Sequence, residues 1–180
     1  MGDSELVTQL KKGDVRARVV LYDRYKSGIY GYCVHIIRDK EQAADATQEV
    51  FAKVFEGIGN LKDHEAFRSW LFAIARNTAF GYLKKVSENI ELQDSDAIEN
   101  ESPFDVVARL QTRDVLEALI LSLSPTHREV IHLREYEDLS YEAIAQVIGI
   151  PLSSVKGRLL KARRALASEF RKKYRRDDLC

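Results

Sequence analysis

SYEAIAQVIGIPLSSVKGRLLKARRA, running from Ser140 to Ala165, is the stretch whose reading decides the fold. A compact turn between two crossing helices imposes residue types at fixed offsets. Ala145 is small where the second helix crosses the first. Gly149, four residues on, suits left-handed backbone at the turn, and Val155, six further, can anchor the second helix. Ser140 is placed to cap the first helix, Leu139 and Ile144 to staple across that cap, and Ser153 or Ser154 to cap the second. The outer face of the second helix then carries Lys156, Arg158, Lys161 and Arg164, cations suited to phosphates and to base edges in a major groove. The pattern predicts a helix-turn-helix that reads duplex DNA. The plainer alternative is a helical hairpin with a solvated basic face.

Charge is segregated along the chain. The 180 residues carry 28 Lys and Arg against 28 Asp and Glu, a formal net charge of zero. Yet from Pro151 to Arg176 ten basic residues face Glu169 alone, and from Val86 to Asp105 seven acids face no Lys or Arg. Nucleic acid responds to the local basic face and not to the chain total. A hydrophobic content of 45% suffices for one ordinary domain or two small ones. No apolar run approaches the roughly 20 residues that cross a bilayer, and the amino terminus is polar, so a cytoplasmic protein without membrane insertion is expected. Cys33 and Cys180 form no disulfide framework or C-x-x-C pair. The histidines (His35, His64, His127, His132) show no metal-ligand spacing, since a five-residue offset puts His127 and His132 about 140 degrees apart on a helix. No metal and no cofactor is expected. With no nucleophile-base pair and no phosphate-binding glycine loop, nothing points to an enzyme.

Apolar residues recur at three and four along most of the chain, and no stretch alternates as a strand would. The fold class is all-α, with two small helical domains joined by an acidic linker. The first domain, residues 1–86, holds a short helix capped by Asp3 or Ser4, and a long one restarted at Gly13-Asp14 and reaching about Arg38. A third starts at Asp39, and a fourth runs from about Glu65 to Lys85. The linker is residues 87–102. The second domain, residues 103–180, holds helices of about Pro103 to Leu121, Pro125 to Tyr136, Tyr141 to Ile148 and Leu152 to Tyr174, two of them opened by Ser-Pro steps.

On the fourth helix, Arg68, Arg76, Asn77, Lys84 and Lys85 are interleaved with Phe67, Trp70, Phe72, Phe80 and Tyr82. Cations that hold a backbone beside rings that accept unstacked bases suit a single-strand binder. The same rings at helical spacing also suit a core, most of all Phe67, Trp70 and Tyr82. On the third helix, Glu41, Asp45 and Glu49 are four apart and form one acidic stripe beside Gln48, Phe51 and Phe55. That face could be solvated or could bind a protein.

Two separate stretches point one way. DATQEVF (Asp45 to Phe51), FRSWL (Phe67 to Leu71) and IARN (Ile74 to Asn77) resemble region 2 of bacterial sigma factors. Ser124-Pro125, LSYEAIA (Leu139 to Ala145), Pro151, SSVK (Ser153 to Lys156) and Ala162-Arg163 resemble region 4. Two regions on a short chain look like the extracytoplasmic-function (ECF) subgroup. The resemblance implies that the chain joins core RNA polymerase through the beta-prime clamp helices and the beta flap, and that it binds promoter DNA, duplex and melted. An anti-sigma factor would restrain it. Asp45, Gln48, Glu49, Phe51 and Phe55 fall where the family docks on polymerase. Asn60, Lys62, Arg68, Arg76, Asn77, Lys84 and Lys85 fall where it meets the minus-10 element. Ser153, Ser154, Lys156, Arg158, Lys161 and Arg164 fall where it reads the minus-35 element. The acidic linker matches the segment that threads the polymerase's RNA path. Arg18 stands where the family usually has phenylalanine, Asp63 and Ser153 where it usually has glycine, and Gly157 where serine is common. A free-standing helix-turn-helix regulator, with a first domain that senses or dimerises, is the alternative.

Overall fold

Local capping chemistry sets the starts of several helices, and the computed structural model describes residues 1–92 and 112–173. Helix α1 spans Asp3–Lys11, and Gly13, at φ 89°, takes the left-handed turn that ends it. Asp14 then caps α2 (Val15–Ile37) by accepting the Arg16 N–H, and Asp39 caps α3 (Lys40–Gly57) by accepting that of Gln42. A single 3-10 turn, Ile58–Asn60, leads to the loop before α4 (Phe67–Leu92). In the second half come α5 (Thr112–Leu121), α6 (Pro125–Ile131), a π turn at His132–Tyr136, α7 (Tyr141–Ile148) and α8 (Leu152–Lys173). Among the described residues there is no strand and no helix long and apolar enough to cross a membrane.

Three boundaries depart from expectation. Neither Asp3 nor Ser4 caps α1; Gly2 precedes the helix, and the Asp3 carboxylate is drawn away to the Tyr25 hydroxyl and the Arg24 guanidinium of α2. Neither Ser153 nor Ser154 caps α8, because the helix begins at Leu152 and the Pro151 carbonyl accepts the N–H groups of Ser154 (2.9 Å) and Val155 (3.2 Å). Proline is tolerated at a helix start, where its missing N–H would have no partner. Helix α4 continues past Lys85 to Leu92, since neither glycine nor proline occurs between those two residues. The rest of that stretch, the helix start expected at Pro103, and Cys180 lie outside the described residues.

Packing joins what the sequence suggested would be two separate units. Helices α2, α3 and α4 pack on one another with α1 across them, and α6, α7 and α8 form the second cluster. Helix α2 also packs on α6, and α4 on α7. One apolar core runs from Leu6 and Val7 through Phe67 and Phe72 to Ile144, Val155 and Leu159. Burying such a surface is the main stabilising term available to a chain of this size.

Candidate nucleic-acid interface

The helix-turn-helix keeps the predicted first cap, turn and buried anchor, though not the expected serine cap on α8. Ser140 accepts the Ala143 N–H at 3.1 Å, Leu139 and Ile144 are both buried beneath it, and Gly149 ends α7 at φ 75°. Val155, Leu159 and Ala162 bury one stripe of α8. That orientation turns Ser153, Ser154, Lys156, Lys161 and Arg164 outward as an exposed face, with Arg158 half-buried at its edge. Gly157 lies on that face with open space where a side chain would project.

The first domain divides its candidates among several surfaces. Gln48, Phe51 and Phe55 of α3 line a cavity of about 360 Å³ with Arg18, Val19, Tyr22 and Ala52. Phe51 meets Tyr22 edge-on at 4.8 Å, and the Arg18 guanidinium sits 4.3 Å from the centre of the Phe55 ring. The arginine that replaces the family's usual phenylalanine therefore keeps a ring contact, as a cation on a π face. The acidic stripe lies beside this cavity. Asp45 is exposed, and Glu49 pairs with Lys53 at 2.6 Å, which, with help from Tyr82 and Lys85, holds its carboxyl below the usual range.

Asn60 and Lys62 are exposed in the loop before α4. That loop is tied to α1 by the Lys11 ammonium on the Leu61 carbonyl and by Thr8 on His64 at 2.9 Å. Asp63, exposed, accepts the Glu65 N–H at 3.0 Å in a local turn, a role that an acid fills with its own side chain. Along α4, Phe67 and Phe72 are core, while Trp70, Phe80 and Tyr82 are only half-buried. Asn77, Lys84 and Lys85 are exposed. Arg68 and Arg76 instead face the second domain. Arg68 donates to the Glu137 carbonyl and stands 3.3 Å from its carboxylate; Arg76 Nε lies 2.8 Å from Glu129 Oε1.

The contact between the domains is a cluster the sequence did not announce. The Tyr32 hydroxyl donates to Glu129 Oε1 at 3.1 Å, and His35 Nδ1 meets His132 Nδ1 at 2.5 Å. His35 Nε2 lies 2.6 Å from Glu117, whose other oxygen accepts the Tyr136 hydroxyl. Arg128, buried, donates to the His35 and Ile36 carbonyls across the interface and to Leu121 and Leu123 within its own domain. Burial pushes its guanidinium down to about 10, with Arg38 adding to the effect. Burial also raises the Glu129 carboxyl, against the opposing pull of Arg76, Tyr32 and Arg158. At His35, burial and the facing His132 lower the imidazole's affinity for a second proton, and Glu117 only partly offsets them. A usable signal was present: Gly28 and Gly31 sit inside a 23-residue helix, where glycine weakens the helix unless another element approaches closely. Among the described residues no group of three or more His, Cys, Asp or Glu could hold a metal, and buried Cys33 has its thiol pushed up to about 12.

Comparison with known proteins agrees with this geometry. The profile of sigma-70 region 2 matches residues 21–88 and that of sigma-70 region 4 matches residues 113–166. The chain is 32% identical over 176 residues to the RNA polymerase sigma-H factor of Pseudomonas aeruginosa, covering 91% of each. It is 28% identical over 177 residues to the ECF RNA polymerase sigma factor SigW of Bacillus subtilis, covering 92% of this chain and 95% of that one. Over 186 residues it is 30% identical to the ECF RNA polymerase sigma-E factor of Escherichia coli, covering 97% of both. In fold it is similar to CnrH in its complex with the cytosolic domain of CnrY, with a TM-score of 0.71 at 22% identity over 96% of this chain and 99% of that one. It is also similar to the sigma factor RpoE bound to the anti-sigma factor NepR from Bartonella quintana, at a TM-score of 0.68, 21% identity and coverage of 83% and 94%. With both regions present in order, and relatives matched along nearly their whole length, the chain belongs to the sigma-70 family of RNA polymerase sigma factors, in its ECF subgroup.

Proposed function

We propose that this protein binds core RNA polymerase, directs it to promoters through their minus-35 and minus-10 elements, and promotes melting of the DNA for transcription initiation. The observation that carries this reading is the presence of both sigma regions on one chain, aligned along nearly all of a bacterial sigma factor at 32% identity. The assignment of residues is part of the proposal. The cavity on α2 and α3, with Gln48, Phe51 and Phe55 and with Asp45 and Glu49 beside it, is the docking face for the clamp helices. The exposed face of α8, Ser153, Ser154, Lys156, Lys161 and Arg164 with Arg158, reads the minus-35 element. Asn60, Lys62, Arg68, Arg76, Asn77, Lys84 and Lys85 serve the minus-10 element. The domain limits 1–86, 87–102 and 103–180 go with these roles. The protein works in the cytoplasm, needs no cofactor, catalyses nothing itself, and is restrained by an anti-sigma factor, a reading supported by its similar fold to the sigma factor RpoE solved in complex with the anti-sigma factor NepR.

The direct test is transcription by core polymerase from genomic promoter fragments, with and without the chain. Promoter-dependent stimulation is expected, and its absence on every fragment would reject the reading. A gel shift with each component alone separates it from a free-standing regulator, which would bind its site tightly without polymerase.

A further inference from the structure

We infer that the cavity where the end of α2 meets α5 and α8 is a binding site for a small amphiphilic anion, an acidic head group carried on a short apolar chain. The cavity measures about 460 Å³, within the range of small-molecule sites, and shares no residue with the α2–α3 cavity. Its apolar lining comes from α5, where Leu119 is buried and Ala118 half-buried. Its charged lining comes from Arg38 at the end of α2 and from Glu169, Lys172 and Lys173. Those last three lie three and four residues apart and so share one face of α8.

The sign of the charge selects the head group. Three cations line the cavity against one acid, and that acid is already paired with Lys172 at 2.7 Å. The ends of α2 and α5 would ordinarily oppose an anion, because a helix presents carbonyl groups and a partial negative charge at its C-terminus. Here buried Arg128 takes those carbonyls, donating to His35 and Ile36 of α2 and to Leu121 and Leu123 at the end of α5. Burial and the nearby Arg38 both push the Arg128 guanidinium down, so the two cations repel and an anion between or beside them relieves that repulsion. Arg38 also stands at φ 66°, left-handed backbone that favours glycine at the end of a helix. Glycine would relieve the backbone, so a role for the arginine side chain offsets that strain, and the cavity supplies one. A carboxylate on Arg38 gains charge-assisted hydrogen bonds, and an apolar chain against Ala118 and Leu119 gains by burial. A bare anion would leave the apolar lining uncovered, and an uncharged chain would leave the cations unmatched.

The test titrates the full chain by isothermal calorimetry with decanoate, kept below its micelle concentration. Decyltrimethylammonium, with the same chain and the opposite charge, and inorganic phosphate, with no chain, are the comparisons. Decanoate should saturate one site per protein, and both comparisons should bind at least about tenfold more weakly. Arg38→Gly removes the cation while suiting the left-handed backbone, and Ala118→Trp fills the cavity. Each should weaken decanoate binding by about tenfold or more at unchanged helix content by circular dichroism, whereas Lys12→Ala, at an exposed cation outside the cavity, should not. Decanoate should also raise the urea midpoint of the unsubstituted chain and leave that of Arg38→Gly where it was. The absence of saturable decanoate binding, or equal affinity in the unsubstituted chain and Arg38→Gly, would overturn the site. Equal affinity for decyltrimethylammonium would overturn the anionic head group, and equal affinity for phosphate the apolar chain; either result rejects the inference.

Discussion

Arg128 is the residue on which the interface depends most. Its guanidinium fixes carbonyls of α2 and of the α5–α6 connection at once, and among the described residues no acid pairs with it. Replacing it with methionine keeps the apolar stem and strands those carbonyls, which should cost about 3 kcal/mol in urea denaturation. On the docking face, Phe55→Ala removes the ring under Arg18 and should weaken core-polymerase binding by about 1–2 kcal/mol without unfolding the chain, as measured by fluorescence titration. Arg158→Ala should cost about 1–3 kcal/mol at the minus-35 element if the side chain reaches a base edge. A loss uniform across sequences, with a smaller salt slope, would make it a phosphate anchor. The exposed residues of α8 and the cavity-lining residues of α3 could be read from spacing alone. The partners of Arg68 and Arg76 could not, because Glu137 and Glu129 lie 69 and 53 positions away along the chain and no local period links them.

At the level of elements, local rules placed most of the helices. The caps at Asp14, Asp39 and Ser140, and the turn at Gly149, were legible because each satisfies a backbone group within four residues. Gly149→Ala forces a Cβ into left-handed backbone and should destabilise the chain by about 1–2 kcal/mol, with Gly149→Asn costing less; equal unfolding midpoints for the two variants would contradict this. Where expectation failed, a distant partner or a continuing pattern decided. Asp3 left its capping role for Tyr25 and Arg24, and α4 ran on into acidic sequence because acidity alone does not stop a helix. The π turn at His132–Tyr136 stacks those two rings 5.0 Å apart and nearly parallel, placing His132 against His35.

Across the whole molecule, the packed state should be sensitive to acid. His35 and His132 meet nitrogen to nitrogen, an arrangement that accommodates one proton between them and not two. Because burial and His132 lower the affinity of His35 for its second proton, the packed state keeps this contribution above pH 6.5 and loses it as pH falls below that value. Around the pair stand Tyr32 on α2, Glu117 on α5, Arg128 on α6, Tyr136 and Glu137 on and after the π turn, and Arg68 on α4. The Glu137 carboxyl, held low by His132 and Arg68 despite burial, adds a loss of the same sign below pH 4.5. Glu129 acts the other way: its raised affinity for a proton means that acidification relieves a burial cost. Resistance to urea should therefore decline from pH 7 to 5.5, more steeply in Glu129→Gln and less in His35→Gln. A flat profile in the unsubstituted chain would remove the histidine pair from the account.

The sequence by itself determined the helices, the two units they form, the helix-turn-helix and its exposed basic face, because capping, periodicity and charge are set by neighbours a few residues apart. Only the tertiary structure decided that the two units share one core, that α2 and α3 form an apolar cavity beside the acidic stripe, and that two of the expected DNA-facing cations, Arg68 and Arg76, pair with half-buried Glu137 and buried Glu129. Those outcomes depend on contacts between residues far apart in sequence. In them, burial and charge pairing outweigh local preference, and a lone Gly28 or a buried Glu129 acquires its meaning from an element far away along the chain.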